Sequence, residues 1–497
     1  MATFAANLDL AKGVGVTWGR QTSQKLLPSM IVELAMANGI EYVKLFSVNP
    51  GVMNAFYRTN LSILLTIPNN EFRQVNGSRD AKAWVKQNIT DYMRMGDIRF
   101  KYVLVGNEPY SKLEYLDGDA ELTQREDIVN SVKFIQDALN EAKIGDKVKT
   151  TVPHYVDVLK PDIVMPSEAD FREDLKPDML RILRLLHSSG APFMVNLYPM
   201  LHLHEYGFPV GFGTYDRESN FTVSDGDIVY TNVFDLVFDM FVSALRKNGF
   251  PDMRVVAGQV GWPTDGDIYA SVRNAEMFYK GFLKKLASKR GTPLQPGPLE
   301  AYLYSLADEN NRNMARSPSD RHYGIYGYDG VPKFHIDFTL QGRKLILENA
   351  TGISYMPRRW CVLKPEIRQV EPWLLSSFNV TCLFGDCSRL TYGSTCNSLD
   401  LRGNLSYAFN MFFQMKNQRE EFCNFNGSAK VVYVNPSTEK CKYYLQILST
   451  VFVGGRGEMF MTLGNGAERT NTKDAFHFAM TFIGPLLLVL YELSLGG

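Results

Sequence analysis

The chain is 497 residues long and 45% apolar, enough to bury a large core and to divide into two or three domains, which excludes a mostly disordered chain. Its 53 Lys and Arg balance 53 Asp and Glu, so no surplus charge points to nucleic acid or to an anionic membrane surface, and a neutral ligand fits better. Aromatic residues make up 12%, which suits the CH faces of sugar rings and equally an ordinary core.

The first residues, MATFAANLDLAKG, lack the apolar run of a secretory leader, and the expectation is that the natural N-terminus begins further upstream. From Gly13 to about Leu340, short β-branched and aromatic runs alternate with helical patterns. Eight runs read as strands: Val14–Trp18, Tyr42–Phe46, Ile63–Ile67, Phe100–Gly106, Val148–His154, Phe193–Tyr198, Arg254–Gly261 and Leu299–Leu306. Pro28–Asn38, Ala81–Met95, Asp127–Ala142, Asp178–His187, Asn232–Lys247 and Val272–Ser288 carry apolar residues at helical spacing. Eight β/α units over 13–342 predict an α/β fold, a closed (β/α)8 TIM barrel. A doubly wound open sheet is the alternative, although no Gly-rich dinucleotide loop follows the first run.

Barrels of this kind place their chemistry just beyond the C-terminal ends of the strands. There the sequence reads Gly106-Asn107-Glu108-Pro109, Asn196-Leu197-Tyr198-Pro199, Gly258-Gln259-Val260-Gly261-Trp262-Pro263 and Asp308-Glu309-Asn310.

A linker at 343–359 leads to a second domain at 360–445 that holds all six cysteines, Cys361, Cys382, Cys387, Cys396, Cys423 and Cys441. Their even number reads as three disulfides formed in an oxidising compartment; a zinc site is the competing reading, without a CxxC pair to support it. Eight N-x-S/T sequons, at Asn60, Asn76, Asn88, Asn220, Asn349, Asn379, Asn404 and Asn426, also predict secretion. The tail at 464–497 has small residues (Gly464 to Ala467), a polar spacer and an apolar stretch interrupted by Pro485 and Glu492. This layout predicts a GPI-attachment signal and hence a cell-surface protein held at the plasma membrane or wall; a transmembrane anchor is the alternative.

The stretches VGVTWGRQTS, YVKLFSVNPGVMNAF, YVLVGNEPY, PFMVNLYP, VVAGQVGWPTDGD, GTPLQPGPLEAYLYSLADEN and DRHYGIYGYDGVPK stand in the order found in plant β-1,3-glucanases, and the chain resembles glycoside hydrolase family 17 over the whole barrel. WCVL, GSTCNSLD, GNLSYAFNMFFQ and CNF resemble the X8 module, carbohydrate-binding module family 43. The resemblance implies a monomeric endo-hydrolase of callose-type β-1,3-glucan, with no cofactor and no metal, working by retention through two carboxylates. Glu108 matches the acid/base residue, and Asn107 the residue that bonds the sugar 2-OH. The position of the nucleophile is held by Gln259. A neutral amide neither attacks well nor opposes the positive charge of the oxocarbenium, so hydrolysis by the usual route is expected to fall by orders of magnitude. Asp265 and Asp267, further along the same loop, are displaced too far to stand in.

By the same resemblance Glu309, Arg312 and Asp320 flank the cleft, orienting the acid/base or binding hydroxyls. Tyr198 and Trp262 are candidate sugar platforms, with packing at the rim as the alternative, and Phe46 stands where some members carry Tyr. The implied disulfides are Cys361–Cys423, Cys382–Cys387 and Cys396–Cys441. Tyr407 to Gln414 supplies either glucan-binding surface or core of the module. Three functions remain in play: an endo-β-1,3-glucanase, a glucan-binding relative impaired at Gln259, and an anchored wall scaffold.

Overall fold

The computed structural model describes residues 14–111, 125–216, 218–314, 316–342 and 346–448; the first 13 residues and the anchor-like tail at 464–497 lie outside the described residues. Thirteen strands are present among the described residues. They are β1 Gly15–Trp18, β2 Tyr42–Leu45, β3 Ser62–Ile67, β4 Arg99–Val105, β5 Lys149–Thr151, β6 Pro153–His154, β7 Phe193–Leu197, β8 Val223–Asp225, β9 Ile228–Tyr230, β10 Val255–Val260, β11 Ala301–Leu303, β12 Trp360–Leu363 and β13 Ala429–Val432.

Nine of them form one sheet in the order β5-β4-β3-β2-β1-β11-β10-β7-β6. The two ends of that order are a single pass of chain interrupted at Val152. β5 pairs in parallel with β4 (Thr150 opposite Val103) and β6 with β7 (His154 opposite Val195), so the run read as one strand closes the sheet into a barrel. An open doubly wound sheet is excluded by this closure.

Side chains alternate along each strand. Ile63, Leu65, Ile67, Val103, Val105, Val195, Leu197, Val255 and Ala257 belong to the large core shared with the surrounding helices, whereas Leu64, Tyr102, Leu104, Met194, Val256 and Tyr302 form a second cluster inside the barrel. This interior plug supports the mouth: Lys44 follows Tyr42 on β2, and Asn196 follows Met194 on β7, each two residues on and therefore facing the same way.

The helices that flank the strands begin where the sequence offers caps. Asn232 accepts from the Asp235 N–H at the start of Val233–Lys247, and Ser271 from the Asn274 N–H at the start of Val272–Ser288. The expected helix over Ala81–Met95 is Ser78–Val85, a π turn at Lys86–Thr90, and Asp91–Gly96.

The second domain is an antiparallel pair, β12 with β13, packed on helices Pro372–Phe384 and Leu401–Met415. Its cysteines form Cys361–Cys423, Cys382–Cys387 and Cys396–Cys441, with none left free, so zinc is ruled out as the reason for these residues. Tyr407, Phe409, Met411 and Phe413 are buried, which assigns the Tyr407 to Gln414 stretch to the core; Phe412 alone among its aromatic residues is half-buried.

The stretch between the domains is fastened rather than free. The Glu348 N–H donates to Asn38 Oδ1 (2.9 Å) and the Ala350 N–H to the Gly330 carbonyl (2.9 Å). The Met356 N–H donates to Gln446 O (2.8 Å) and the Leu448 N–H to Ser354 O (2.7 Å), which extends the second domain a few residues past 445. The described residues, which end at Leu448, form one compact unit.

Among the sequons, Asn60, Asn220, Asn349, Asn379 and Asn426 are exposed, while Asn76 and Asn404 are half-buried. Asn88 is a correction: it is buried and its amide nitrogen donates to the Trp84 carbonyl one turn back, so the folded chain has no room there for a glycan. Among the described residues no helix is long and apolar enough to cross a membrane, and no cluster of three or more His, Cys, Asp or Glu could hold a metal ion.

Candidate active site

β4 runs directly into Gly106, Asn107 and Glu108. Gly106 has φ of 73°, and a Cβ there would lie 2.5 Å from Asn69 Oδ1 and 2.6 Å from the Phe72 ring, so only glycine permits this exit. Glu108 also has positive φ (56°), a conformation that costs a non-glycine residue energy and persists where the surroundings impose it. Those surroundings are the Pro153 carbonyl, which accepts the Glu108 N–H at 2.9 Å, and two side chains from β7 and beyond. Asn196 Nδ2 donates to Glu108 Oε1 at 2.7 Å, and the Tyr198 hydroxyl, whose one proton is shared with Gln259, lies 3.1 Å from the same oxygen.

Gln259 reaches the barrel mouth through a break in β10. The register of β10 against β7 slips between Ala257 and Gln259, the kind of irregularity that re-aims a side chain near a site. Gly258 sits in the slip, where a Cβ would lie 2.5 Å from Met194 Cγ. The result places Gln259, 1% exposed, against the Tyr198 hydroxyl through its Oε1 and 3.2 Å from Asn107 Oδ1 through its Nε2. One phenol oxygen thus touches both Glu108 and Gln259. Burial first, and then the Glu108 charge, push the Tyr198 hydroxyl well above its ordinary range, so it stays a proton donor.

Three donors converge on Asn107 Oδ1: Lys44 Nζ at 2.9 Å, Asn196 Nδ2 at 3.2 Å and Gln259 Nε2. Asn69 braces the backbone of the same residue, accepting its N–H at 2.9 Å and donating to its carbonyl at 3.1 Å. The amide oxygen is occupied by the protein, and the half-buried Asn107 keeps its Nδ2 as the group to offer a ligand hydroxyl.

Lys44, Asn196 and Arg316 were not assigned roles by sequence reasoning. Lys44 was detectable as a lone charge in an apolar strand, a placement that is rarely neutral in a barrel. Asn196 was visible only as a strand-end polar residue. Arg316 lay in a loop without a local signal. Its guanidinium covers the Tyr198 ring at 4.6 Å, pairs with both oxygens of Asp320 at 3.0 and 3.1 Å, and stands 4.0 Å from Glu108 Oε2. Asp320 therefore acts on Glu108 through Arg316. Glu309 is held by the Gln21 N–H (2.9 Å) and by Arg312 (3.5 Å), whose guanidinium lies over Tyr304, so this pair forms a separate post beside β1.

Trp262 is a second correction. It is fully buried, packs on Phe278 with ring centroids 5.5 Å apart, and donates its indole N–H to the Tyr269 carbonyl at 3.1 Å; it shows no face to a sugar. Tyr198 is likewise buried and serves the site with its hydroxyl instead of its ring face. Phe46, half-buried at the end of β2 and 5.5 Å from Lys44 Nζ, is an aromatic ring at the mouth that remains partly open.

Lys44 makes the site sensitive to pH. Burial lowers its ammonium to about 7, with the Glu108 carboxylate opposing the shift. Between about 7 and its unfolded value of about 10.4, the unfolded chain holds the extra proton, so this group favours the fold increasingly as pH rises through that window, and its penalty is fully present below it. Lys44→Met should therefore be more stable than the parent near neutral pH, by a margin that narrows towards about pH 10. Thermal unfolding at several pH values checks this, and a margin independent of pH would contradict it.

A strand-end glutamate and an amide that share the Tyr198 hydroxyl, with an asparagine beside both, form a polar site of the glycoside-hydrolase kind at the mouth of a (β/α)8 barrel. The family model for glycosyl hydrolases family 17 matches residues 14–338 and that for the X8 domain matches 359–430; the chain belongs to glycosyl hydrolases family 17 and carries an X8 domain. It is 40% identical over 446 residues to glucan endo-1,3-beta-glucosidase 8 of Arabidopsis thaliana, covering 89% of this chain and 90% of that one. It is 36% identical to glucan endo-1,3-beta-glucosidase 5 of the same plant, over 90% of each chain. Among solved structures, a β-1,3-glucanase and pollen allergen of Cryptomeria japonica, CJP38, superposes with a TM-score of 0.60 at 27% identity, covering 66% of this chain and 99% of that one.

Proposed function

We propose that this protein takes β-1,3-glucan as its ligand in the barrel cleft, with Glu108 in the acid/base place, and that Gln259 blocks the covalent route of hydrolysis. The reading is supported by the names of the relatives and by the site, and the observation that carries it is the neutral amide facing Glu108 across Tyr198. Without a carboxylate there, no glycosyl ester forms and no anion opposes the oxocarbenium.

The neighbouring carboxylates offer no substitute. Asp265 is held by Arg389 and Thr395, Asp267 by His204 at 3.0 Å, Asp320 by Arg316, and Glu309 by Arg312 and the Gln21 N–H. The amide nitrogen donates to Asn107, and its oxygen lies against the Tyr198 hydroxyl, whose one proton serves both it and Glu108. The three disulfides and exposed sequons support a secreted protein. Attachment at the cell surface rests on the tail sequence alone.

Titration calorimetry tests the binding half of the proposal. The full chain should bind a linear β-1,3-glucohexaose at least about tenfold more tightly than the β-1,4 hexaose, a gap of about 1.4 kcal/mol. Asn107→Ala should remove most of that gap. Equal affinity for both hexaoses would overturn the proposal.

A further inference from the structure

Two loops of the barrel mouth end on the X8 domain. The loop after β10 places Asp265 six residues beyond Gln259, 1% exposed, and the module takes its carboxylate: Arg389 Nη1 at 2.7 Å, the Thr395 N–H at 2.9 Å and the Thr395 hydroxyl. Arg389 in turn lies over the Tyr444 ring at 4.7 Å. The second loop carries Arg321, next to Asp320. Arg321 donates to Asp386 at 3.1 Å and to the Gly385 carbonyl at 3.3 Å, while its Nε donates to the Arg312 carbonyl at 2.8 Å. His322 meets the Ser388 hydroxyl at 2.7 Å, and the Thr264 N–H reaches the His322 carbonyl at 3.0 Å, tying the two loops together.

The module's share of these contacts comes from one segment. Asp386 lies within the short Cys382–Cys387 loop, and Ser388, Arg389 and Thr395 lie between Cys387 and Cys396. Both ends of the segment are thus fixed by disulfides. Buried ion pairs recover little net stability, because desolvation offsets their attraction, but misplacing one partner leaves an uncompensated charge inside the protein. Such pairs set register. Here they set the register of the loop leaving Gln259 and of the turn whose Asp320 holds Arg316 against Tyr198 and Glu108.

We propose that residues 386–395 of the X8 domain are a buttress of the barrel site, with Arg389 and Asp386 as positioning residues acting through Asp265 and Arg321. The module then does more than bring glucan nearby: it completes the wall behind the cleft. Only the kinetic readout below rests on the proposed function.

Hydrogen exchange on the full chain tests the buttress without reference to glucan. In Arg389→Ala and in Asp386→Asn, peptides covering 261–268 and 312–322 should exchange at least about tenfold faster, with β2, β3 and β4 unchanged. Arg389→Lys, which keeps the charge, should recover most of the protection. Unchanged protection of both loops in both variants overturns the proposal. So does loss in Arg389→Ala that Arg389→Lys fails to rescue while the module itself exchanges freely, because that marks general unfolding.

In a Gln259→Glu background, loosening Arg316 lets Tyr198 and Glu108 leave their places beside it, so kcat should fall more than KM rises. A kcat that stays in place while the loops loosen also overturns the positioning role. An inactive Gln259→Glu protein with loosened loops would instead count against the proposed function alone.

Discussion

Gln259→Glu is expected to raise release of reducing ends from a linear β-1,3-glucan at least about a hundredfold, equivalent to about 2.7 kcal/mol off the barrier. The substitution restores a nucleophile and a negative charge against the oxocarbenium, two effects made in the transition state and so felt in kcat. The surroundings oppose it at one point: a carboxylate oxygen facing Asn107 Oδ1 would be repelled where Gln259 Nε2 now donates, and Lys44 and Asn196, which donate to the same Oδ1, keep the Asn107 amide from turning over. On the other side the carboxylate meets the Tyr198 hydroxyl. Lys44, 2.9 Å from Asn107 Oδ1, gains a second nearby anion, so its depressed pKa should rise with the substitution. Adding Glu108→Ala must abolish the gained activity, because protonation of the leaving oxygen then has no donor. If the parent is already as active as Gln259→Glu, the nucleophile has been placed on the wrong residue and the blocked-site reading fails.

The barrel was legible because its strands are apolar runs spaced by helical patterns, and burial on both faces makes such runs continuous. Their ends were not equally legible. Val148–His154 reads as one strand, yet Val152 interrupts it at the point where the sheet closes, a consequence of pairing with β4 on one side and β7 on the other that no local pattern encodes.

At the site, Glu108 and Gln259 could be placed from strand-end motifs, but their shared partner could not. Tyr198 and Trp262 are both aromatic residues just beyond strands, and only packing separates a hydroxyl aimed at the catalytic pair from an indole sealed under Phe278. Asp265 shows the same limit. As sequence it is one more carboxylate in a catalytic loop; in space it belongs to Arg389, 124 residues away.

Removing the Cys361–Cys423 disulfide should unfold the X8 domain while leaving a folded barrel. The bond closes a separation of 62 residues, for which the chain-entropy relation gives about 4 kcal/mol, and it lies inside a small core of Leu363, Leu374, Leu405, Phe409, Phe413 and Ala429. A domain of that size has little other stability to draw on, whereas the cysteine-free barrel has its own large core. Calorimetry of Cys361→Ser with Cys423→Ser should then show the barrel transition without a cooperative module transition. Because the module leaves its barrel partners when it unfolds, the loops that carry Asp265 and Arg321 lose the contacts that hold them, and the barrel transition itself should fall by several degrees. A single transition close to that of the parent would mean that the cross-link contributes far less than its loop length implies; loss of the module with an unmoved barrel transition would mean that the buried pairs leave the barrel's stability untouched.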